Sequence, residues 1–302
     1  MSVICYLLSP VGFCSGVARA VDMAKQVLKF CGNVYITEDI VHNKALMRDM
    51  YGLGIIKVSA LEEVPDGASV MFSAHGTTPE VFARSEEKEL TIIDGTCPVV
   101  KAVQIAVKEQ SKAGKKIIII GNRTHPEIIA LKGYAGGPSS TFVVYDEGDC
   151  DLLPDFSGEE VMYFTQTTLD AQHVERIINL LKEKIPNISR ESRNNTCYAT
   201  LDRQAAIRSV SEVVDFIIVL GSTYSANARA LEEAAKHSSV KKVVRIDSEQ
   251  ELDLAMLSDV SSLAIATASS TPRSVVDNLV SFLDQNMEIE VREFDPRLNS
   301  VP

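Results

Sequence analysis

Short runs rich in Val, Ile and Phe alternate with longer segments whose apolar residues recur every three or four positions. The runs predict strands over 3–8, 34–37, 70–73, 91–94, 117–121, 142–145, 161–165, 216–221, 243–247 and 263–267. The amphipathic segments predict helices over 15–30, 78–89, 99–113, 171–184, 200–214, 226–237 and 272–285. This alternation implies parallel sheets joined by crossover helices, the α/β class. Pro98 and Pro272 fall where a first helical residue belongs, and Thr200 and Ser225 are candidate caps. The stretch 133–140 (GYAGGPSS) reads as a loop and 186–196 as a boundary between units.

Composition changes this picture in two ways. A chain of 302 residues can form two or three α/β units, and 45% hydrophobic with 24% charged residues is an ordinary globular balance. A net charge of −11 lacks the basic footprint of a nucleic-acid binder, so any anion site has to be built locally from amides, hydroxyls and a few cations. The start, MSVICYLLSPVGFCSG, has no basic n-region and no span-length apolar run, so a cytoplasmic, non-membrane protein is expected. Six cysteines in a reducing compartment are core residues, reactive thiols or metal ligands rather than three disulfides.

In open α/β sheets, ligands bind where a strand ends and the next helix begins. Cys14 (GFCSGV), Cys97 (DGTCPVV) and Cys197 (NTCYAT) all fall at such points, each in a different third of the chain. A helix start stabilises negative charge, and so a metal-binding thiolate. Three thiolates brought together could hold one cluster. Spacing alone separates neither iron–sulfur from zinc nor either from buried core cysteines. Cys5, Cys31 and Cys150 read as structural, in a strand, at a helix end and in an acidic loop respectively.

Other polar residues gather at the same kind of position. His42 (VHN), His75 (SAHG) and His125 (HPE) follow strand ends, whereas His173 and His237 read as solvated helix residues. Cationic imidazoles would suit a diphosphate and neutral ones zinc. Glu127, at a helix start, is either a helix-dipole partner or a proton donor. Thr167 and Thr168 end a strand, where a hydroxyl can cap a helix or contact a substrate. GSTYSAN (221–227) and SSTP (269–272) are small cradles of amides and hydroxyls suited to an anion. Neither is a P-loop or a dinucleotide fingerprint, so ATP and NAD are not indicated.

Taken in order, GFCSGV, VHN, SAHG, TCP, HPE, TQTTL, CYAT, DRQ and SSTP resemble the 4-hydroxy-3-methylbut-2-enyl diphosphate reductase family, over about residues 3 to 285. That family performs the last step of the methylerythritol phosphate route to isoprenoids. The resemblance implies an α/β fold of three similar lobes in a trefoil around a central iron–sulfur cluster. The lobes would be 1–96 (Cys14, His42, His75), 97–193 (Cys97, His125, Glu127, Thr167) and 194–302 (Cys197, Ser225, Asn227, Ser270). It implies one [4Fe-4S] cluster per chain on Cys14, Cys97 and Cys197, with one iron left open. It also implies diphosphate binding by His42, His75, His125, Ser225, the 226 position, Asn227 and Ser270, catalysis by Glu127 and Thr167, and substrate contact by Thr167. The reaction implied is a two-electron, two-proton removal of an allylic hydroxyl, giving isopentenyl and dimethylallyl diphosphate, with ferredoxin or flavodoxin as electron donor.

This chain departs from the family pattern at several positions. The usual G-S-x-N-S-S-N loop reads GSTYSAN, so Tyr224 replaces Asn and Ala226 replaces Ser. T-A-G-A-S-T-P reads ATASSTP, T-N-R-Q reads LDRQ, and Thr77 stands where a hydrophobic residue follows SAHG. Ala226 removes a hydroxyl expected on the diphosphate, a loss of about 1–3 kcal/mol that implies weaker or altered substrate binding. Two other readings stand beside the enzyme: a zinc-dependent hydrolase using His42, His75 and His125, and a diverged iron–sulfur binding or sensor protein. Lys182, Lys184, Arg190 and Arg193 form either a docking patch for an acidic electron donor or a solvated face.

Overall fold

A computed structural model describes residues 2–190 and 197–297. The expected boundary at 193/194 and Arg193 therefore lie outside the described residues. The chain runs β1 (Val3–Leu8), α1 (Ser15–Cys31), β2 (Val34–Ile36), α2 (Lys44–Gly52), β3 (Ile55–Lys57), β4 (Ser69–Phe72), α3 (Pro79–Glu87) and β5 (Thr91–Asp94). It continues with α4 (Pro98–Lys112), β6 (Lys116–Ile120), α5 (Pro126–Tyr134), β7 (Thr141–Val144), α6 (Glu147–Asp151), β8 (Val161–Thr165), α7 (Ala171–Lys184) and β9 (Ser189–Arg190). The last part is α8 (Tyr198–Val210), β10 (Phe216–Leu220), α9 (Ala226–Lys236), β11 (Lys242–Ile246), β12 (Ser262–Thr267), α10 (Arg273–Asn286) and β13 (Ile289–Phe294).

The strands form three sheets in the orders β11-β10-β12-β1-β13, β3-β2-β4-β5 and β7-β6-β8-β9. Every pairing described is parallel. The chain is α/β, as its pattern predicts. It divides into two compact units: Met1–Cys14, His42–Leu46 and Tyr198–Pro302 form one, and Ser15–Val41 with Met47–Cys197 the other. The first unit carries the five-stranded sheet, in which β1 pairs with β12 and β13 rather than with the strands that follow it in sequence. The second carries the two four-stranded sheets.

The central strands are apolar throughout because helices cover both of their faces. In β10, Phe216, Ile218 and Leu220 pack with Val276, Leu279 and Leu283 of α10, while Ile217 and Val219 pack with Ile207 of α8 and Leu231 of α9. β12 follows the same period of two: Leu263 and Ile265 face α10, and the smaller Ala264 and Ala266 face α8 and α9. In the third sheet, Ile117 and Ile119 join Val103, Val107 and Leu131 of α4 and α5, and Ile118 and Ile120 join Ile177 and Leu181 of α7.

Several sequence expectations change in detail. Thr200 is not a cap but a buried residue inside α8. Pro272 stands just outside α10, at its N-cap. Asp170, rather than Thr168, caps α7 by accepting the His173 N–H. The stretch read as a loop from 133 begins at 135, since Gly133 and Tyr134 close α5. Cys150 is buried within α6 rather than lying in an open loop. His173 is half-buried and packs on Tyr145 at 5.1 Å between ring centroids, whereas His237 is exposed.

The packing predicts a contrast between two apolar residues of the same sheet. Ile265→Ala in β12 removes a side chain that is fully buried and is expected to cost about 2–5 kcal/mol. Val291→Ala in the edge strand β13, where the side chain is exposed, is expected to stay within about 0.5 kcal/mol. Denaturant unfolding of the two variants measures both.

Candidate functional site

In the first unit the turn between β1 and α1 is shaped by Gly12, whose φ of +83° favours glycine. Its N–H donates to Thr267 Oγ1 at 3.2 Å, and the Cys14 N–H donates to the Ser269 carbonyl at 3.1 Å. Arg203, buried in α8, ties this turn to the end of β12. Its guanidinium donates to the carbonyls of Gly12 (2.6 Å), Thr267 (2.9 Å) and Ala199 (2.9 Å). The planar fork suits several carbonyls at once, and it holds the loop that presents Cys14. Sequence reading had Arg203 only as a letter of the DRQ motif and gave it no role.

Around the same strand ends lie the anion-cradle residues. Ser225 caps α9, its Oγ accepting the Ala228 N–H at 3.2 Å. Asn227 is buried, donating from Nδ2 to Thr200 Oγ1 at 3.1 Å and accepting the Ser269 N–H on Oδ1 at 2.8 Å. Ser270 Oγ donates to the His42 carbonyl at 3.2 Å, which fastens the His42 segment to this unit. The capping hydroxyl of Ser225 still has a proton to donate, and Asn227 a second amide hydrogen. Ala226 opens α9 and adds only a methyl group.

In the second unit, His75 follows β4 in a turn that Gly76 completes with φ of +79°. A Cβ at Gly76 would run into the side-chain amide of Gln104. The Ser73 hydroxyl lies 3.3 Å from both the His75 N–H and its Nδ1. His125 caps α5, its Nδ1 accepting the Glu127 N–H at 3.2 Å. The His75 and His125 rings meet edge-on, 5.2 Å apart. Because Nδ1 of His125 uses its lone pair on the helix, the ring proton sits on Nε2, which is then a donor rather than a metal ligand. That suits an anion oxygen and disfavours the zinc reading.

Glu127 and Thr167 come together here. Glu127 is 1% exposed, and Oε1 accepts the Thr167 N–H at 2.8 Å while Oε2 accepts its hydroxyl at 2.9 Å. Burial pushes the Glu127 carboxyl up to about 7, with the two Thr167 bonds partly opposing it. The group can therefore hold a proton at neutral pH and release it.

Cys97 is the N-cap of α4, with Pro98 as first helical residue and its N–H donating to the Ala74 carbonyl at 3.0 Å. Arg19 of α1 donates to the Thr96 carbonyl at 3.1 Å and so steadies the same turn. Cys14 and Cys197 stand immediately before α1 and α8, and all three thiols are half-buried. Cys5 and Cys150 differ: both are buried, and burial pushes the Cys5 thiol up to about 12 and that of Cys150 upward. Of the expected basic patch, Lys184 is tied to Asp151 and to the Cys150 carbonyl, while Lys182 and Arg190 are exposed.

Parallel sheets whose strand ends carry a buried protonatable acid, paired imidazoles, capping hydroxyls and helix-start thiols are those of an α/β enzyme. The chain belongs to the LytB protein family, whose model matches residues 5–284. It is 36% identical over 286 residues to the 4-hydroxy-3-methylbut-2-enyl diphosphate reductase of Rhodopirellula baltica, covering 94% of this chain and 89% of that one. The enzyme of that name from Actinobacillus pleuropneumoniae is also 36% identical, over 279 residues, with 92% and 88% covered. Among solved structures, the E-1-hydroxy-2-methyl-but-2-enyl-4-diphosphate reductase from Plasmodium falciparum matches with a TM-score of 0.95 at 33% identity, covering 100% of this chain and 95% of that one. A second reductase, described as the terminal enzyme of the non-mevalonate pathway, matches with a TM-score of 0.67 at 28% identity, covering 94% and 99%.

Two predictions follow from these contacts. Protonating Glu127 in the folded state contributes stability that is complete below about pH 4.5 and is lost as pH rises through about 7. The stability of Glu127→Gln relative to the parent chain is therefore expected to rise by roughly 2–3 kcal/mol between pH 5 and pH 8, read from urea unfolding at each pH. Arg203→Lys keeps the charge but loses the fork, and is expected to cost about 2–4 kcal/mol in the same assay.

Proposed function

We propose that this chain reductively removes the allylic hydroxyl of 4-hydroxy-3-methylbut-2-enyl diphosphate. The products are isopentenyl and dimethylallyl diphosphate; two electrons and two protons enter, and the hydroxyl leaves as water. The observation that carries this reading is the buried Glu127–Thr167 pair, a proton store near neutrality beside imidazoles suited to an anion. The names of the LytB relatives support the substrate.

Three half-buried thiols at helix starts fit an iron–sulfur cluster, because amide dipoles there favour the thiolate that metal binding requires. A [4Fe-4S] cluster on Cys14, Cys97 and Cys197, with one iron left open, would supply the electrons and a Lewis-acidic position. The protein's own residues do the rest. Nε2–H of His125, with His42 and His75, donates to the diphosphate oxygens, aided by the hydroxyls of Ser225 and Ser270 and the amide of Asn227. Glu127 delivers a proton to the departing hydroxyl, and Thr167, bonded to both carboxylate oxygens, fixes the direction of delivery. An acidic ferredoxin or flavodoxin would supply electrons, with exposed Lys182 and Arg190 as candidate contacts. A cytoplasmic setting suits thiolates that must stay reduced.

Protein purified without oxygen and assayed with reduced methyl viologen is expected to release both five-carbon diphosphates. Iron-loaded protein that releases neither would end the reading. Glu127→Gln is expected to lower kcat by about 10²–10⁴-fold with little change in iron content. Ala226→Ser restores a hydroxyl at the first position of α9 and is expected to lower KM by roughly fivefold or more. An unchanged KM would remove any role for that hydroxyl.

A further inference from the structure

The departure at Tyr224 has a partner. Its ring is 65% exposed, and the Lys44 ammonium stands 4.5 Å from the ring centroid. Lys44 is the first residue of α2, two positions after His42, and belongs to the five-residue segment His42–Leu46 that packs with the first unit. Tyr224 directly precedes Ser225, and its own N–H donates to Ser222 Oγ at 3.4 Å. Ser270 Oγ grips the carbonyl of His42 in the same segment. One cradle loop, the second cradle loop and the His42 segment are thus joined by two contacts, one of them involving an ammonium.

We propose that Lys44 is a further diphosphate-binding residue and that Tyr224 is its positioning residue, the aromatic face holding the ammonium beside the Ser225–Asn227 cradle until an anion takes it. This inference rests on the function proposed above for the same site. An exposed ammonium on a four-carbon stem loses much rotamer freedom when it binds a phosphate, and a cation–π contact removes part of that freedom beforehand. At an exposed site the contact is weak enough for a phosphate to displace it. A charge-assisted bond to phosphate is about twice as strong as a neutral one, so the exchange favours the bound anion. Asp247 frames the same place: burial and Glu251 push its carboxyl up, while the Lys44 charge and Ser222 act against that. The ammonium therefore has Asp247 and the Tyr224 ring in its neighbourhood at rest.

The test is calorimetric binding of inorganic diphosphate to the iron-loaded protein, run beside turnover of the five-carbon substrate. Lys44→Met is expected to weaken inorganic diphosphate binding roughly tenfold and to flatten its dependence on salt. Tyr224→Phe keeps the ring and is expected to bind like the parent, whereas Tyr224→Leu is expected to bind about threefold more weakly. In turnover, Lys44→Met is expected to raise KM while leaving kcat within about twofold, a split that a merely structural role would not give. Lys44→Met that binds inorganic diphosphate with parental affinity and salt dependence overturns the proposal, even if the parent turns over normally. Tyr224→Leu indistinguishable from the parent overturns the part given to Tyr224. A parent that binds inorganic diphosphate without reducing the substrate, with binding lost in Lys44→Met, supports this inference and overturns the proposed function alone. A parent that does neither overturns both.

Discussion

Parallel pairing is the constraint on which this chain's chemistry depends. Strands that all run the same way in a sheet end at the same edge, and each must be followed by a crossover that begins there. Most polar groups of interest inherit their place from that rule: Cys14 after β1, His75 after β4, Cys97 after β5, His125 and Glu127 after β6, Thr167 after β8, Ser225 after β10 and Ser270 after β12. The helices then begin where the strands stop, so the same edges collect unpaired amides and positive dipole ends. A strongly acidic protein can thus build anion-binding sites without a basic surface.

The price of placing so many polar groups at strand ends is that each must be satisfied locally, and the way this is done sets the chemistry. His125 spends one ring nitrogen on its helix, which leaves the other as a donor. Glu127 has Thr167 on both oxygens yet no opposing cation among its named contacts, so burial dominates and the proton is retained. Arg203 answers three carbonyls rather than a ligand, and by doing so frees the Cys14 turn from holding itself. Stability and reactivity come from the same set of bonds.

Much of the fold was legible because buried parallel strands are continuous apolar runs: 161–165 coincides with β8, and 216–221 and 263–267 fall within one residue of β10 and β12. What escaped was short or two-faced. β3 and β9 are three and two residues long and exist only through their neighbours, and β13 (IEVREF) is exposed along most of its length. α5 carries apolar residues around most of its surface, so it shows no stripe, although its start at Glu127 was visible. That β1 joins β12 and β13 could not be read at all, since pairing between distant segments leaves no local trace. Within the site, Glu127 and Thr167 could each be given a role from the sequence, whereas Arg203 was visible only as a motif letter, because its partners are main-chain carbonyls that any residue possesses. The Lys44–Tyr224 contact was hidden for a related reason: a ring beside a cation is a matter of space, not spacing.

The position of β1 also bears on how the protein is made. It is synthesised well before its hydrogen-bonding neighbours, which begin only at Ser262 and Ile289. At ordinary rates of synthesis the nascent chain carries this apolar segment unpaired for roughly ten seconds to a minute, while the sheets of the other unit can already close. A cell that overproduces this protein faster than its chaperones can shield that strand would be expected to find it in inclusion bodies, with the intervening sheets already formed.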